Sequence, residues 1–194
     1  MVIAHRVIFC TYGFWLPNDP RGSNSDVVWA DHLKPFGVAT MVSDRLSHAK
    51  DSHDRALRAA AKRALLFEPV RLSGVQARAV GQGFAKQVTT SGFTIYACAI
   101  LSQHIHMVVR SHHYRVEQVV NLLKGAATRE LVSNGLFERG SNDRPIWSAG
   151  LRKVFCSTAK EVRLKIAYVR GNPSRDGHKP QAWSFVVPFD DGAR

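Results

Sequence analysis

Phe93-Thr94-Ile95-Tyr96-Ala97-Cys98-Ala99-Ile100-Leu101 is followed by Ser102-Gln103 and then by His104-Ile105-His106-Met107-Val108-Val109-Arg110. Both flanks are dense in β-branched, aromatic and apolar residues. Two such runs separated by two residues predict an antiparallel hairpin. Ile95 to Leu101 is also the longest uninterrupted apolar run in the chain, at seven residues. A membrane helix needs about 20, so a hairpin in a sheet is the reading that remains.

Working outward, Gly74 to Thr90 reads as a helix with Ser73 as N-cap. Val116 to Leu131 reads as an amphipathic helix, with Val116, Val119, Val120, Leu123, Ala127 and Leu131 at intervals of three and four. Lys124, Thr128, Arg129 and Glu130 fall on its other faces. His5 to Tyr12 predicts a first strand, and the turn-rich stretch Pro17 to Asp26 follows it. Val27 to Val70 is an excursion, weakly patterned except for a helical stretch from Asp54 to Phe67. Asn134 to Pro145 is a loop and Ile146 to Cys156 a further strand. Thr158-Ala159-Lys160-Glu161 is a capping box opening a last helix. Pro173 sets the expected end of that helix near Asn172, and the tail from Ser174 to Arg194 looks irregular. The order predicts an α+β sandwich, one antiparallel sheet with helices packed on one face. We expect a single domain over 1–194, with a less typical insertion at about 27–70.

The chain has 194 residues, 45% hydrophobic and 22% charged, which excludes a disordered or fibrous protein. Lys plus Arg number 27 against 15 acidic residues, a net charge of +12. Such an excess points to a polyanionic partner, because neutralising phosphates is the sequence-independent part of nucleic-acid affinity. Cys10, Cys98 and Cys156 sit in apolar contexts and read as reduced core cysteines. The start, Met1-Val2-Ile3-Ala4-His5-Arg6, has no secretory pattern, so the expected location is cytoplasmic.

Two constellations carry chemistry. On a strand, His104 and His106 point to one face while Ile105 and Met107 face the other way. Imidazoles about 7 Å apart along a strand can converge on one divalent metal with a third ligand from elsewhere. Taken alone, a His-x-His reads first as a polar pair on a solvated strand face. A third His two residues on would mark a histidine-triad enzyme, and that position is Val108. Tyr168 and Asn172 are four apart on the last helix and share a face. Leu164 continues that row, whereas Val162, Ile166 and Val169 mark the core side. Alone, Tyr168 reads as an aromatic at the rim of the core and Asn172 as a helix stop.

Together these residues resemble the single-tyrosine HUH transposases, most closely the REP-associated tyrosine transposases, relatives of the smallest single-strand insertion-sequence transposases. Thr11-Tyr12-Gly13-Phe14-Trp15-Leu16-Pro17-Asn18-Asp19-Pro20-Arg21-Gly22 resembles the N-terminal signature of one branch, and His104-Ile105-His106-Met107-Val108-Val109 the metal strand. Leu122-Leu123-Lys124-Gly125 resembles the family's Leu-Lys-Gly helix, Ile146-Trp147 the Trp before the last strand, Asn172-Pro173-Ser174-Arg175-Asp176-Gly177 its Asn-Pro-x-Arg-x-Gly ending, and Trp183-Ser184-Phe185 the tail Trp. Ser102-Gln103 stands where the family usually has Pro-Asp or Pro-Glu.

The resemblance implies a ferredoxin-like HUH sandwich and a metal-dependent single-stranded DNA endonuclease and strand transferase. Tyr168 would be the nucleophile, and Mg²⁺ or Mn²⁺ would be held by His104, His106 and Asn172. Tyrosine has a pKa near 10, so its phenol needs a cationic setting, and Arg163, Lys165 and Arg170 lie within a turn of it. Lys124, Arg129, Arg152 and Lys153 are candidates for contacts to the DNA backbone, and Trp147 for base stacking. The expected partner is single-stranded or hairpin DNA, with neither a membrane nor a small-molecule substrate. The branch resembled implies a monomer, although a dimer partner supplies the catalytic helix in the wider family. Two other readings stand beside the transposase. One is a non-catalytic hairpin-binding module derived from such an enzyme. The other is a metal-dependent hydrolase of small phosphate esters.

Overall fold

A computed structural model describes residues 1–14, 16–20, 27–28, 30–39, 52–140 and 143–190. Trp15, Arg21 and Gly22 of the N-terminal signature, and 40–51 of the excursion, lie outside the described residues. The chain divides into two compact units. One comprises Met1–Phe9, Arg71–Arg144 and Arg152–Arg194, and the other comprises Cys10–Val70 and Pro145–Leu151.

The first unit is built on a four-stranded sheet of β1 (Ala4–Cys10), β2 (Ile95–Ile100), β3 (His104–Arg110) and β4 (Arg152–Cys156), in the order β2-β3-β1-β4. The hairpin forms as its spacing predicts: β2 and β3 are antiparallel, with Ala99 opposite His106 and Ala97 opposite Val108. β1 and β4 are antiparallel too, with Arg6 opposite Val154. This is the ferredoxin-like order expected of the sandwich.

Helices cover both faces of the sheet, not one. On one face the Phe9 ring meets Phe84 of α2 (Gly74–Ser91) at 6.3 Å. The Lys124 ammonium of α3 (Val116–Ser133) lies 5.4 Å over the same Phe9 ring. On the other face, Ala4, Ala97, Ala99, Val108 and Cys156 form one core cluster with Val162, Ile166 and Val169 of α4 (Ala159–Arg175). The physical reason is visible in β2. All six of its residues are buried, and a strand buried on both sides shows a continuous apolar run instead of alternation.

The tail after α4 has no regular element, yet it is tied down along the open edge of β2. The Gln181 carboxamide takes the Ile100 N–H and donates to the Ile100 carbonyl, both at 2.8 Å. The Val187 N–H bonds to the Ile95 carbonyl at 2.9 Å, and Trp183 packs against Gly81, where an added Cβ would lie 2.3 Å from the indole. An edge strand otherwise presents unpaired backbone groups. Gln181→Ala strips Ile100 of both partners, and about 2 kcal/mol should be lost, read as a lower urea midpoint at unchanged slope.

The second unit contains a 3-10 helix (Asp31–Phe36) and α1 (Arg55–Arg63) around Leu16, Leu33 and Ala61. Asp54 caps α1, accepting the Leu57 N–H at 2.8 Å. α1 stops at Arg63, short of the expected Phe67, and Ala64 and Leu65 turn to pack on that cluster. Asp19 is 1% exposed and ion-paired with Arg58 at 3.1 Å. The strand expected over Ile146 to Cys156 is interrupted. Trp147 makes an isolated bridge to Thr11, Gly150 takes a left-handed φ of 74°, and the regular strand resumes only at Arg152. Positive φ is cheap for glycine and breaks a strand.

Candidate functional site

β3 begins at His104, so the two imidazoles stand at the start of the strand on one face, ring centroids 4.8 Å apart. Ala99, the register partner of His106, is small and leaves room above the ring. α4 packs on this same face. Thr158 and Glu161 form the capping box the sequence predicts, and the core side of the helix is Val162, Ile166 and Val169.

Tyr168 stands beside that core stripe, 38% exposed, and its ring lies 5.7 Å from the His106 ring. Asn172 is buried, and its Nδ2 donates to the Tyr168 carbonyl at 2.8 Å. That bond fixes which way the carboxamide points and leaves Oδ1 as its acceptor.

α4 does not end at Asn172. Pro173 lies inside the helix, which runs to Arg175 and is closed by the Asp176 N–H on the Asn172 and Pro173 carbonyls. A proline this close to the C-terminus removes one backbone donor, and the ending supplies others. The extra turn matters because it carries Arg175 to within 5.0 Å of the Tyr168 ring centroid. On the other strand pair, Arg6 of β1 places its guanidinium 5.2 Å from the same centroid. Arg163, Lys165 and Arg170, the cations close to Tyr168 in sequence, do not take this position. Arg163 instead lies 5.9 Å over Phe189 of the tail.

Arg6 is half-buried, and its Nε is enclosed without a hydrogen-bond partner. Burial pulls its pKa down from the ordinary value and the Arg152 charge adds to that, while the Tyr168 phenol, by charge and hydrogen bonding, works the other way. A cation over an aromatic ring gains about 0.5–2 kcal/mol, less than the several kcal/mol that desolvating it costs.

His106 is pushed well below its ordinary 6.5, chiefly by burial and further by His104, Arg6 and Arg175. It is therefore neutral near pH 7, the form that ligates metals. Its Nδ1 is buried without a partner. Two imidazoles, one held neutral with an orphaned nitrogen, and a carboxamide oxygen fit a divalent cation. No cluster of three His, Cys, Asp or Glu forms among the described residues, so the carboxamide is needed to complete such a set.

The lowered His106 pKa also sets a stability window. Below about pH 6.5 the unfolded chain takes up a proton that folded His106 refuses, so stability falls with pH. Glu117, Glu130 and Glu161 are held below their ordinary 4.5 by Lys153, by Lys86 and by the Ser157 and Thr158 N–H groups respectively. Their contribution is lost only as pH falls below that value. His106→Gln should flatten the upper window in urea titrations between about pH 7 and pH 5. His5, also lowered by burial, retains part of it.

The five candidate DNA contacts come from α3, from β4 and from the second unit. Lys124 is buried under α3 instead of on its solvent side. Arg129 is exposed and donates to Gln87 at 3.5 Å. Lys153 is ion-paired with Glu117. Arg152 stands on β4, where its charge acts on Arg6, and Trp147 belongs to the second unit, bridged to Thr11. Cys10, Cys98 and Cys156 are free and buried, as core cysteines should be.

The family model described as IS200-like transposase matches residues 71–172, a span that holds both histidines, Tyr168 and Asn172. The chain belongs to the IS200-like transposases. No curated protein matches it. Among solved structures, a REP-associated tyrosine transposase bound to a REP hairpin is similar at 12% identity and a TM-score of 0.49, over 90% of this chain and 68% of that one. A protein of Deinococcus radiodurans assigned as a transposase is similar at 12% identity and a TM-score of 0.41, over 92% of each chain. No helix among the transposase's described residues is long and apolar enough to cross a membrane.

Proposed function

We propose that this transposase nicks a single DNA strand and transfers it through a 5′-phosphotyrosine intermediate on Tyr168, at hairpin-flanked sites. The observation that carries the reading is the Tyr168 ring 5.7 Å from His106, partly exposed, on the sheet face that holds both imidazoles. His104, His106 and Asn172 would hold Mg²⁺ or Mn²⁺, which when bound serves as a Lewis acid on a phosphate oxygen. Neutral His106 supplies a nitrogen donor, and Asn172, oriented by its bond to the Tyr168 carbonyl, supplies Oδ1.

The phenol oxygen of Tyr168 bonds to phosphorus and the P–O3′ bond breaks. The electron pair leaves on the 3′ oxygen, which takes a proton to become a 3′-OH, and the phenol proton passes to solvent. A second 3′-OH later attacks the same phosphorus, and the phenol oxygen departs and recovers a proton. The covalent link conserves the bond energy, so no nucleotide hydrolysis is required.

The contact of Tyr168 with His106 of its own chain supports a tyrosine supplied in cis and a monomer as the working unit, with a homodimer that exchanges α4 as the alternative. The proposed setting is the cytoplasm, on DNA. Arg129, Arg152, Lys153, Lys124 and Trp147 are the proposed DNA contacts. Arg129 and Lys153 are exposed, whereas Lys124 would have to leave the Phe9 ring to reach a phosphate.

A labelled, hairpin-flanked single strand incubated with protein and Mn²⁺ should give a covalent band stable to denaturation, with the nucleotide on the peptide that contains Tyr168. EDTA should abolish the band and added Mn²⁺ restore it. A protein that binds the hairpin yet gives no band with either metal would be the non-catalytic hairpin-binding module instead.

A further inference from the structure

Arg6 and Arg175 come from opposite ends of the chain, yet their guanidiniums lie 5.2 Å and 5.0 Å from the centroid of one phenol ring. Both also bear on His106, whose protonated form they disfavour. Neither ion-pairs with a carboxylate among the described residues, whose ion pairs include Lys86–Glu130 and Lys153–Glu117. Arg152 adds further positive charge at Arg6.

Arg6 is half-buried with its Nε enclosed and unpartnered, and Arg175 is exposed. A folded chain that collects positive groups around one accessible phenol without a carboxylate beside them has left a place for an anion. A guanidinium donates in a rigid fork that matches two oxygens of a phosphate.

We infer that Arg6 and Arg175 form a phosphodiester clamp beside Tyr168, a subsite that takes the non-bridging oxygens of the phosphate to be attacked. The inference rests on the nicking reading for the identity of that phosphate, but the anion site itself does not require Tyr168 to be a nucleophile. The clamp also accounts for the unused Arg6 Nε–H, which a bound phosphate oxygen would accept. Arg175 joins it only because α4 continues through Pro173.

The first test uses inorganic phosphate as probe. Titrated into the wild-type protein, it should shift the Arg6 Nε–H resonance saturably, and the shift should vanish in Arg175→Ala and be restored in part by Arg175→Lys. The second uses Tyr168→Phe and the hairpin-flanked strand, with a neutral methylphosphonate at the position mapped in the adduct assay. Tyr168→Phe should bind the native strand about tenfold more tightly than the neutral one, as expected for charge-assisted contacts. With Arg6→Lys and Arg175→Ala added, the ratio should approach one, and the log–log salt slope should fall by about 0.7 for the phosphate released. A non-saturable shift, or an unchanged ratio in the folded combined variant, overturns the clamp. A saturable phosphate shift in a protein that forms no covalent band keeps the clamp and removes the nicking reading.

Discussion

Tyr168→Phe should leave the hairpin-flanked strand bound and uncut. The substitution removes one oxygen and keeps the ring, so the packing of that ring against His106 at 5.7 Å, Arg6 at 5.2 Å and Arg175 at 5.0 Å is retained. At 38% exposure the side chain is no part of the core, and losing the phenol's hydrogen bond to Arg6 should lower the melting temperature by a few degrees at most. Covalent adduct should fall by more than about 10³-fold, because losing a nucleophile costs far more than the roughly 10² of a misplaced one. The other three tyrosines are poor substitutes. Tyr96 is buried against Phe189, Tyr114 stacks with His112 and His113, and Tyr12 packs on Phe67 in the second unit. Among the tyrosines in the described ring contacts, Tyr168 alone meets a histidine of β3. An adduct of undiminished yield in Tyr168→Phe would end the assignment, and peptide mapping of that adduct would name the replacement.

What the sequence made legible was what is encoded locally. The hairpin was readable because period and break fall within one stretch, and β3 occupies His104–Arg110 as read. The caps at Ser73 and Thr158 were readable because a capping box spans four residues. The pair Tyr168 and Asn172 was readable from helical spacing.

What failed depended on partners far along the chain. Arg6 belongs to a strand at the start, and nothing near it in sequence says that β1 lies next to β3 in the sheet or that Arg6 falls on the face that α4 covers. Arg175 sits seven residues beyond Tyr168, two helical turns, and was hidden only by the expectation that Pro173 ends the helix. That rule describes the residue before proline and yields where the helix closes by itself one turn later. Lys124 looked like part of a polar face, but its ammonium tops an aromatic ring that β1 supplies. The second helical face of the sheet was implied by the unbroken apolar run of β2, a signal that periodicity alone cannot turn into a direction.

Gly83→Ala should be the most damaging small substitution on the side of the sheet away from the site. A Cβ at Gly83 of α2 would stand 2.7 Å from the Ala127 Cα, 2.8 Å from the Ala127 nitrogen and 2.8 Å from the Ala126 oxygen of α3. All three atoms are backbone, so no rotamer change relieves the overlap and the helices must part. Overpacking of this kind costs about 1–3 kcal/mol or more, whereas alanine's helix propensity returns at most about 1 kcal/mol. Because the collision is with a rigid main chain at an interface whose residues Ala126 and Ala127 are buried, the upper end applies. A net loss of about 2 kcal/mol should lower the melting temperature by about 4–8 °C. Gly171→Ala supplies the control. On α4 its Cβ would meet nothing closer than the Arg175 guanidinium at 3.9 Å, so the same methyl should stabilise by up to about 1 kcal/mol. Equal destabilisation by the two substitutions would show that glycine content, not the close approach of α2 and α3, sets the effect. Opposite signs would locate it in that contact. Folded Gly83→Ala assayed well below its melting point should still form the Tyr168 adduct, since α2 and α3 cover the face that carries Phe9, and His104, His106 and α4 occupy the other.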